Sequence, residues 1–267
     1  MKKNCVVLLI VSLLAVHSFT VAQSPYESSW KKDGFILGGS LAISFTAAAI
    51  DDSLHVMTPA EISSLNKNSI NIFDRWTTNF ASPKISKASD YLVAVCIAAP
   101  IGLMFADSKI GNDWQTVSTM YVETALLATF LPSFGKGPIK RTRPYLYNPN
   151  APLELLHDNE ASRSFFSGHT TWAFASMTFL AMVYSDFYPN SEYKSTVWIA
   201  SMSTATAVGL LRIFSGAHFP TDVLVGAVVG GAVGYGVPAL HKVKNSSVGI
   251  IQNPNSSGMQ FAFQIPL

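Results

Sequence analysis

Charge is scarce in this sequence, and the scarcity excludes two classes of protein. Charged residues make up 13% of the chain, about half the share usual in soluble globular proteins, while hydrophobic residues reach 49%. An intrinsically disordered chain needs low hydrophobicity and many charges, so that class is excluded. The formal net charge is only +2 and no long lysine–arginine run occurs, which argues against a nucleic-acid partner. The mean hydropathy of +0.29 points instead towards a membrane.

Cysteine is nearly absent as well. Cys5 and Cys96 have neither the number nor the spacing of a disulfide framework or a zinc site. Cys96 lies in an apolar run, which is typical of a buried, unreactive thiol. Carboxylates and histidines do not cluster at a usual ligand spacing either, so the sequence predicts no metal and no cofactor.

The first thirty residues resemble an export signal. Lys2 and Lys3 precede an apolar core from Val6 to Ala15, and the small residue Ala22 offers a cleavage site. An uncleaved signal anchor is the alternative, and both interpretations direct the chain out of the cytoplasm. The predicted organisation is a signal peptide (1–22), a helical domain (23–244) and a C-terminal tail (245–267).

Six uncharged apolar segments predict helices, because they are too long for strands and turn signals do not recur every ten residues. The segments are Gly34 to Ile50, Tyr91 to Ala106, Thr124 to Phe134, Thr170 to Tyr184, Ser195 to Leu211 and Val223 to Leu240. Several approach the roughly 17 to 20 residues that span a bilayer. The predicted fold is therefore an all-α, membrane-embedded bundle of about six core helices.

Two features inside these segments bear on a membrane. The third segment extends back to Val117 only by including Glu123. An acid inside a membrane segment is costly, so Glu123 either has a partner on a neighbouring helix or supports the residues of a site. The glycines of the last segment favour close packing of membrane helices; they are Gly226, Gly230, Gly231 and Gly234.

Two stretches depart from the apolar pattern. Asp51 to Asp90 is polar and mixed, and Thr58-Pro59 resembles a capped helix start, so we predict a surface or interfacial helical excursion. In the tail, the second of two apolar runs alternates from Met259 to Ile265, which allows a short hairpin. A disordered tail is the alternative.

Three clusters of reactive residues stand out against this background. Lys136, Arg143 and Pro144 follow the third segment; Ser167, Gly168 and His169 open the fourth; Arg212, His218 and Asp222 lie between the fifth and sixth. Cations near a helix N-terminus suit a phosphate, since arginine binds it bidentately and free backbone N–H groups face it. Two histidines can divide the roles of nucleophile and general acid, and Asp222 can orient His218 by a hydrogen bond.

Other polar residues have simpler interpretations. Lys140 and Arg141 suit a positive loop that flanks a membrane helix. His55, His157 and His241 lack a catalytic neighbourhood in sequence and are interpreted as structural.

The pattern K-x6-R-P, then S-G-H, then R-x5-H-x3-D resembles the three-part signature of the type 2 phosphatidic acid phosphatase superfamily. That superfamily also contains bacterial acid phosphatases and vanadium haloperoxidases. The match runs from Lys136 to Asp222, about a third of the chain. Phe166 stands where the family usually has proline and Leu211 where it usually has serine, which concerns fine positioning more than chemistry.

The resemblance implies a metal-independent phosphatase on an all-helical core, and it implies a role for each matched residue. His218 attacks phosphorus and forms a phosphohistidine, Asp222 supports His218, and His169 protonates the leaving oxygen. The phosphoryl oxygens are then held by Lys136, Arg143, Arg212, Ser167 and Gly168.

The sequence leaves several functions open. The first is an integral membrane phosphatase whose substrate is lipid A, undecaprenyl pyrophosphate, phosphatidic acid or phosphatidylglycerol phosphate, with membrane lipids as its other partners. The alternatives are a secreted soluble acid phosphatase of the same superfamily, a noncatalytic phosphate-binding membrane protein, and a haloperoxidase, which would require vanadate.

The expected location is a bacterial inner membrane with a periplasm-facing site. If the chain is exported after Ala22 and Gly34 to Ile50 does not cross the membrane, all three clusters face the periplasm. Lys242 and Lys244 then lie inside, as the positive-inside tendency favours. If that first segment does cross, the clusters face the cytoplasm instead.

Overall fold

A computed structural model describes residues 24–50, 56–243, 247–252 and 259–264. The predicted signal peptide lies outside these residues. The regular secondary structure of the described residues is helical apart from two strands near the C-terminus, so the prediction of an all-α bundle is confirmed. The helices are α1 (Trp30–Ile50), α2 (Pro59–Ser63), α3 (Ile72–Arg75), α4 (Pro83–Ala106), α5 (Ser108–Gly111), α6 (Trp114–Lys136), α7 (Leu153–Leu156), α8 (Gly168–Phe187), α9 (Lys194–Phe214) and α10 (Pro220–His241).

The long helices form where the apolar segments predict them, and their ends follow from local chemistry. Ser82 caps α4 and Pro83 occupies its first position, where a missing N–H costs nothing. Ser167 caps α8 through its side chain, and Pro220 is the first residue of α10. Among the described helices, α4, α9 and α10 are long and apolar enough to cross a membrane.

Helix α8 is the centre of the bundle and packs against α4, α6, α9 and α10. Its contact with α10 is close because a Cβ at Gly226, Gly230 or Gly234 would lie within 2.7 Å of a backbone oxygen of α8 or its cap. The prediction of close glycine packing is confirmed for these three positions. Gly231 differs, since a Cβ there meets no atom within 4 Å.

The predicted excursion contains short helices rather than a long one. Thr58 and Glu61 form a capping box at α2, and 3₁₀ turns cover Lys67–Ser69 and Trp76–Asn79. Ile72 and Phe73 are exposed, as an interfacial segment requires. The side chain of the next residue, Asp74, is fully buried. The excursion therefore has an interior face.

The C-terminal hairpin is present. Strand β1 (Ser247–Gln252) pairs antiparallel with β2 (Met259–Gln264), and Ile250 lies opposite Phe261 in the register. At the other terminus, Tyr26 forms an isolated antiparallel bridge with Lys242, which ties the beginning of the described chain to the end of α10.

Candidate active site

The fold brings the three sequence clusters to one end of the bundle. Helix α6 ends there at Lys136, α8 begins at Gly168, α9 ends at Phe214 and α10 begins at Pro220. The connections between these helices carry the remaining residues of the clusters. Residues up to 86 positions apart in sequence thus share one site.

His218 lies in the loop between α9 and α10 and is 2% exposed. Its Nδ1 lies 2.7 Å from the main-chain oxygen of Ser164. Because a carbonyl can only accept, Nδ1 carries the proton and Nε2 keeps its lone pair. Burial, followed by the charges of Arg212, Arg143 and Lys136, lowers the pKa of His218 well below its ordinary value, so the imidazole is neutral at pH 7. A neutral imidazole is the form that can act as a nucleophile.

The expected hydrogen bond between His218 and Asp222 is not formed, because Nδ1 and Oδ2 are 3.8 Å apart. Oδ2 instead accepts from the hydroxyl of Ser164 at 2.6 Å and from the backbone N–H of Phe219 at 2.9 Å. Asp222 therefore fixes the loop and the carbonyl that orient His218. Its charge still lies close enough to stabilise an imidazolium as one forms.

Arg141 holds the other side of this carboxylate, which corrects its interpretation as a membrane-flanking charge. Its guanidinium pairs with Oδ1 of Asp222 and, at 2.7 Å, with Oδ2 of Asp74. It also donates to Thr221 at 2.8 Å and lies 4.2 Å from the ring centre of Phe219. One arginine thus links the excursion, the first cluster and the start of α10.

Asp74 completes this interior network from α3. Both of its carboxylate oxygens accept from Thr221, at 3.1 Å from the backbone N–H and 2.7 Å from the hydroxyl. Burial raises the pKa of Asp74, but hydrogen bonds from Thr221, Asn71 and Arg141 outweigh burial and leave that pKa below its ordinary value. Asp74 is therefore ionised at neutral pH and balances the charge of Arg141.

Two cations of the first cluster share one carboxylate. Glu160 Oε2 lies 2.9 Å from a terminal nitrogen of Arg143 and 3.5 Å from Nζ of Lys136. The Nε of Arg143 also donates to the main-chain oxygen of Glu160 at 3.1 Å. These contacts place two positive charges side by side, as a clamp for an anion requires.

His169 and Arg212 share a second carboxylate. Oδ1 of Asp90 lies 2.9 Å from Nε2 of His169 and 3.4 Å from Arg212. Arg212 is fixed by Ser86 and Ser89, whose hydroxyls accept from it at 3.0 Å each. Its buried Nε makes no hydrogen bond with the described residues, so one donor of this arginine is left for an anion.

The start of α8 adds backbone donors. The side chain of Ser167 accepts from the N–H and the hydroxyl of Thr170, whereas the N–H groups of Gly168 and His169 have no acceptor within the helix because they begin it. A Cβ at Gly168 would come no closer than 3.8 Å to the protein, at Pro132. Gly168 is therefore not demanded by packing, and its missing side chain instead lets an anion approach the helix end.

The backbone conformation at position 216 requires a glycine. It has a φ of +76°, and a Cβ there would lie 2.1 Å from the carbonyl oxygen of Phe80. Its own carbonyl accepts from the N–H of Tyr145 at 2.9 Å. This turn fixes the loop between Arg212 and His218.

An aromatic cluster borders the site. The rings of Trp76, Phe80 and Phe214 lie 5.4 to 6.3 Å apart, centre to centre. Trp76 and Phe214 are about two-fifths exposed, and Phe214 follows Arg212 by two residues. An exposed aromatic surface next to a cationic site suits a ligand with both an apolar and an anionic part.

The structure thus places all eight predicted site residues at one end of the bundle. Sequence reasoning missed four further residues: Asp74, Asp90, Arg141 and Glu160. Asp74 and Asp90 belong to the stretch interpreted as an excursion, and Glu160 lies between two motifs. The signal that could have found Asp90 was its position near the start of an apolar segment, where an acid is costly unless it has a partner.

Comparison with known proteins finds relatives of this chain. A family model described as the PAP2 superfamily matches residues 118–246. A probable diacylglycerol pyrophosphate phosphatase of Schizosaccharomyces pombe is 26% identical over 174 residues, which are 54% of this chain and 61% of that protein. The lipid A 1-phosphatase of Porphyromonas gingivalis is 35% identical over 91 residues, which are 32% of this chain and 19% of that protein.

A solved structure was also similar. The transmembrane PAP2 type phosphatidylglycerolphosphate phosphatase of Bacillus subtilis is 24% identical with a TM-score of 0.46, over 79% of this chain and 96% of that one. The chain spans less than two thirds of the length of the two curated relatives.

Proposed function

Because residues 118–246 are a PAP2 superfamily domain, we propose that this membrane protein removes phosphate from a lipid phosphate or pyrophosphate through a phosphohistidine intermediate. The observation that carries the proposal is the convergence of His218 and His169 with the cations Lys136, Arg143 and Arg212 at one end of the bundle. Phosphoryl transfer depends mainly on positioning and on charge stabilisation, and this site supplies both.

The first step forms the covalent intermediate. Nε2 of His218 attacks phosphorus while the bond from phosphorus to the leaving oxygen breaks, and the imidazolium form of His169 donates a proton to that oxygen. Burial and the charge of Arg212 lower the pKa of His169 to about 4, and the negative charge of the bound substrate opposes that shift. The attack turns His218 into a positively charged phosphoimidazole, which Asp222 stabilises electrostatically. The arginines and Lys136 neutralise the phosphoryl oxygens, so no metal ion is needed for this charge.

The second step restores the enzyme. His169, now neutral, accepts a proton from water as that water attacks phosphorus, and the bond from phosphorus to Nε2 of His218 breaks. Inorganic phosphate leaves, and both histidines regain their starting protonation. The backbone N–H groups at the start of α8 bind the oxygens throughout both steps.

Two observations support a lipid substrate. The aromatic cluster of Trp76, Phe80 and Phe214 offers an apolar surface beside the cations, and three described helices meet the length and apolarity of membrane spans. The relatives named for diacylglycerol pyrophosphate and lipid A agree with this class. Lipid A, undecaprenyl pyrophosphate, phosphatidic acid and phosphatidylglycerol phosphate are the candidates.

The test is a substrate panel with the purified full chain in detergent. Phosphate release is measured from the four lipids and from the soluble ester p-nitrophenyl phosphate, with His218→Ala as the inactive control. We expect at least one lipid to be hydrolysed with a higher kcat/KM than the soluble ester. A clear preference for the soluble ester, with no need for detergent after cell lysis, would identify a soluble acid phosphatase instead.

We also propose that the site faces the periplasm from the inner membrane. In support, α1 is rich in glycine, serine, threonine and alanine, and Lys242 follows α10 on the opposite side from the site, where the positive-inside tendency favours the cytoplasm. Asn150→Cys and Asn245→Cys test the orientation, since Cys96 is buried and gives little background. In intact cells a membrane-impermeant thiol reagent should label the first variant and not the second until the cells are permeabilised; the reverse pattern refutes the topology.

A further inference from the structure

At the end of α10 away from the active site, three ionisable side chains from three helices meet. Asp33 comes from α1, Glu123 from α6 and His241 from α10. Nε2 of His241 lies 3.0 Å from Oδ1 of Asp33 and 3.5 Å from Oε2 of Glu123. All three are buried, with exposures of 0 to 2%. Two carboxylates inside a protein need a compensating charge.

A single proton on Nε2 of His241 cannot provide a hydrogen bond to both carboxylates of this cluster. Nδ1 of His241 lies 2.9 Å from the main-chain oxygen of Val237, so Nδ1 carries a hydrogen and Nε2 faces the two acids. If Nε2 were also protonated, its one hydrogen would serve Asp33, the nearer acceptor. Neither carboxylate oxygen of Glu123 forms a hydrogen bond with any described residue, although both are buried. An acid without such a bond is costly in the interior.

We propose that Asp33, Glu123 and His241 bind a divalent transition-metal ion, of which Zn²⁺ is the best suited. Their ligand atoms all lie within 4.8 Å of one another. Ligands about 2.0 to 2.2 Å from a tetrahedral zinc are roughly 3.3 Å apart, and the two distances from Nε2 lie on either side of that value. A charge of +2 balances the two carboxylates, and the imidazole ligand disfavours Mg²⁺ and Ca²⁺.

The surroundings of the ligands fit this assignment. The bond to Val237 occupies Nδ1, so Nε2 is the nitrogen that can coordinate, and the backbone N–H of Ser29 donates to Oδ1 of Asp33 at 3.3 Å. Bonds of this kind orient the ligands of a metal site. Three protein ligands leave at least one position for water.

The proposed ion has a structural role. It joins the start of α1 to α6 and to the end of α10, where the N–H of Glu27 already donates to the carbonyl of His241 at 2.8 Å. Helix α10 has 22 residues and rises about 1.5 Å per residue, so the ion lies roughly 30 Å from the active site. It should therefore stabilise the fold without taking part in catalysis.

The test measures metal binding by the untagged full chain in detergent. After dialysis against a strong chelator, Zn²⁺ is added back and both the bound metal and the Tm are measured. We expect about one Zn²⁺ per chain and a rise in Tm. Glu123→Gln and His241→Asn should each lose the binding and the rise, while Asp186→Asn keeps both, because Asp186 contacts Tyr26 and Lys242 at the same end of the bundle.

The outcomes distinguish a cluster that binds a metal ion from one that is held together by a proton. If the cluster is held by a proton alone, the native protein binds no stoichiometric Zn²⁺ and its Tm does not respond, which overturns the proposal. Equal binding by the native chain and by Glu123→Gln also overturns it. Glu123→Gln keeps the shape of the side chain, so it should fold, and its Tm in chelator provides the reference for the lost rise. Neither result depends on the enzymatic activity.

Discussion

The two ends of α10 each hold a buried histidine whose Nδ1 is bonded to a main-chain carbonyl. At the active site the carbonyl belongs to Ser164, 2.7 Å from His218; at the far end it belongs to Val237, 2.9 Å from His241. The same bond places a hydrogen on Nδ1 in both places and turns Nε2 towards the other groups of each site. What each nitrogen can do is then decided by the groups that face it.

Those groups carry opposite charge at the two ends. His218 is surrounded by Arg212, Arg143 and Lys136, whereas His241 faces Asp33 and Glu123. A neutral imidazole among cations is suited to attack an anionic phosphoryl group that the cations hold. An imidazole whose Nε2 faces two carboxylates is suited to join them in binding a cation. Local charge, more than the histidine or its tautomer, therefore separates a nucleophile from a metal ligand.

The largest effect is expected from removing the nucleophile. His218→Ala should lower kcat by at least about 10⁴-fold, as removal of a catalytic triad member does, without lowering the Tm by a comparable amount. His169→Ala should retain a phosphoenzyme when the substrate has a good leaving group, and acid-labile ³²P on the protein would reveal it. His157→Ala, an exposed histidine, is the matched control. Substantial turnover by His218→Ala would contradict the assignment.

The next largest effect tests how the cationic end is built. Arg141→Met should leave the buried carboxylates of Asp74 and Asp222 without their partner, which costs about 3–5 kcal/mol of unfolding free energy. Asp222 and Ser164 would then shift, so kcat should fall at least about tenfold with less change in KM. Lys84→Met, an exposed lysine in the first turn of α4 at the same end of the bundle, should change neither the Tm nor kcat. A native kcat in Arg141→Met would show that Asp222 needs no such support.

The sequence predicts the active-site end of α10 in detail, but not the cluster at its other end. The active-site residues lie in three short motifs, and each motif stands at a predicted helix end, so both identity and position could be inferred. The long helices were also predicted, because apolar length and capping residues are local signals. The glycines of α10 predicted its close packing, although Gly231 does not take part.

The remaining contacts join residues with no shared local signal. Asp33, Glu123 and His241 come from three helices and are separated by 90 and 118 positions, so no ligand spacing could reveal them. Arg141 looked like a loop charge because its partners, Asp74 and Asp222, belong to other segments. The bond from His218 to Ser164 replaced the one expected with Asp222, since helix spacing gives proximity but not the orientation of an imidazole.

A smaller effect, on both ends of α10, is expected from a substitution on the face that packs against α8. Gly230→Ala places a Cβ 2.3 Å from the carbonyl oxygen of Thr171, so α10 must move away from α8 at a cost of about 1–3 kcal/mol. Because the helix carries Asp222 at one end and His241 at the other, both kcat and Zn²⁺ affinity should decrease. Gly231→Ala meets no atom within 4 Å, so it should leave kcat and Zn²⁺ binding as they are and keep or raise the Tm, because alanine favours a helix more than glycine does. Equal stability of the two variants would contradict the close packing of α10 on α8.

The smallest effect is expected from a chelator, and it separates the two ends chemically. At the active site the protein's own cations neutralise the phosphoryl oxygens, so EDTA should leave kcat unchanged at temperatures well below the Tm. The same treatment should lower the Tm, because it removes the proposed ion from Asp33, Glu123 and His241. Orthovanadate should inhibit the chelated enzyme, since it occupies the phosphate site as a trigonal-bipyramidal analogue of the transferring group. A strict Mg²⁺ requirement for turnover would contradict the mechanism. An unchanged Tm would show that Asp33, Glu123 and His241 bind no metal ion.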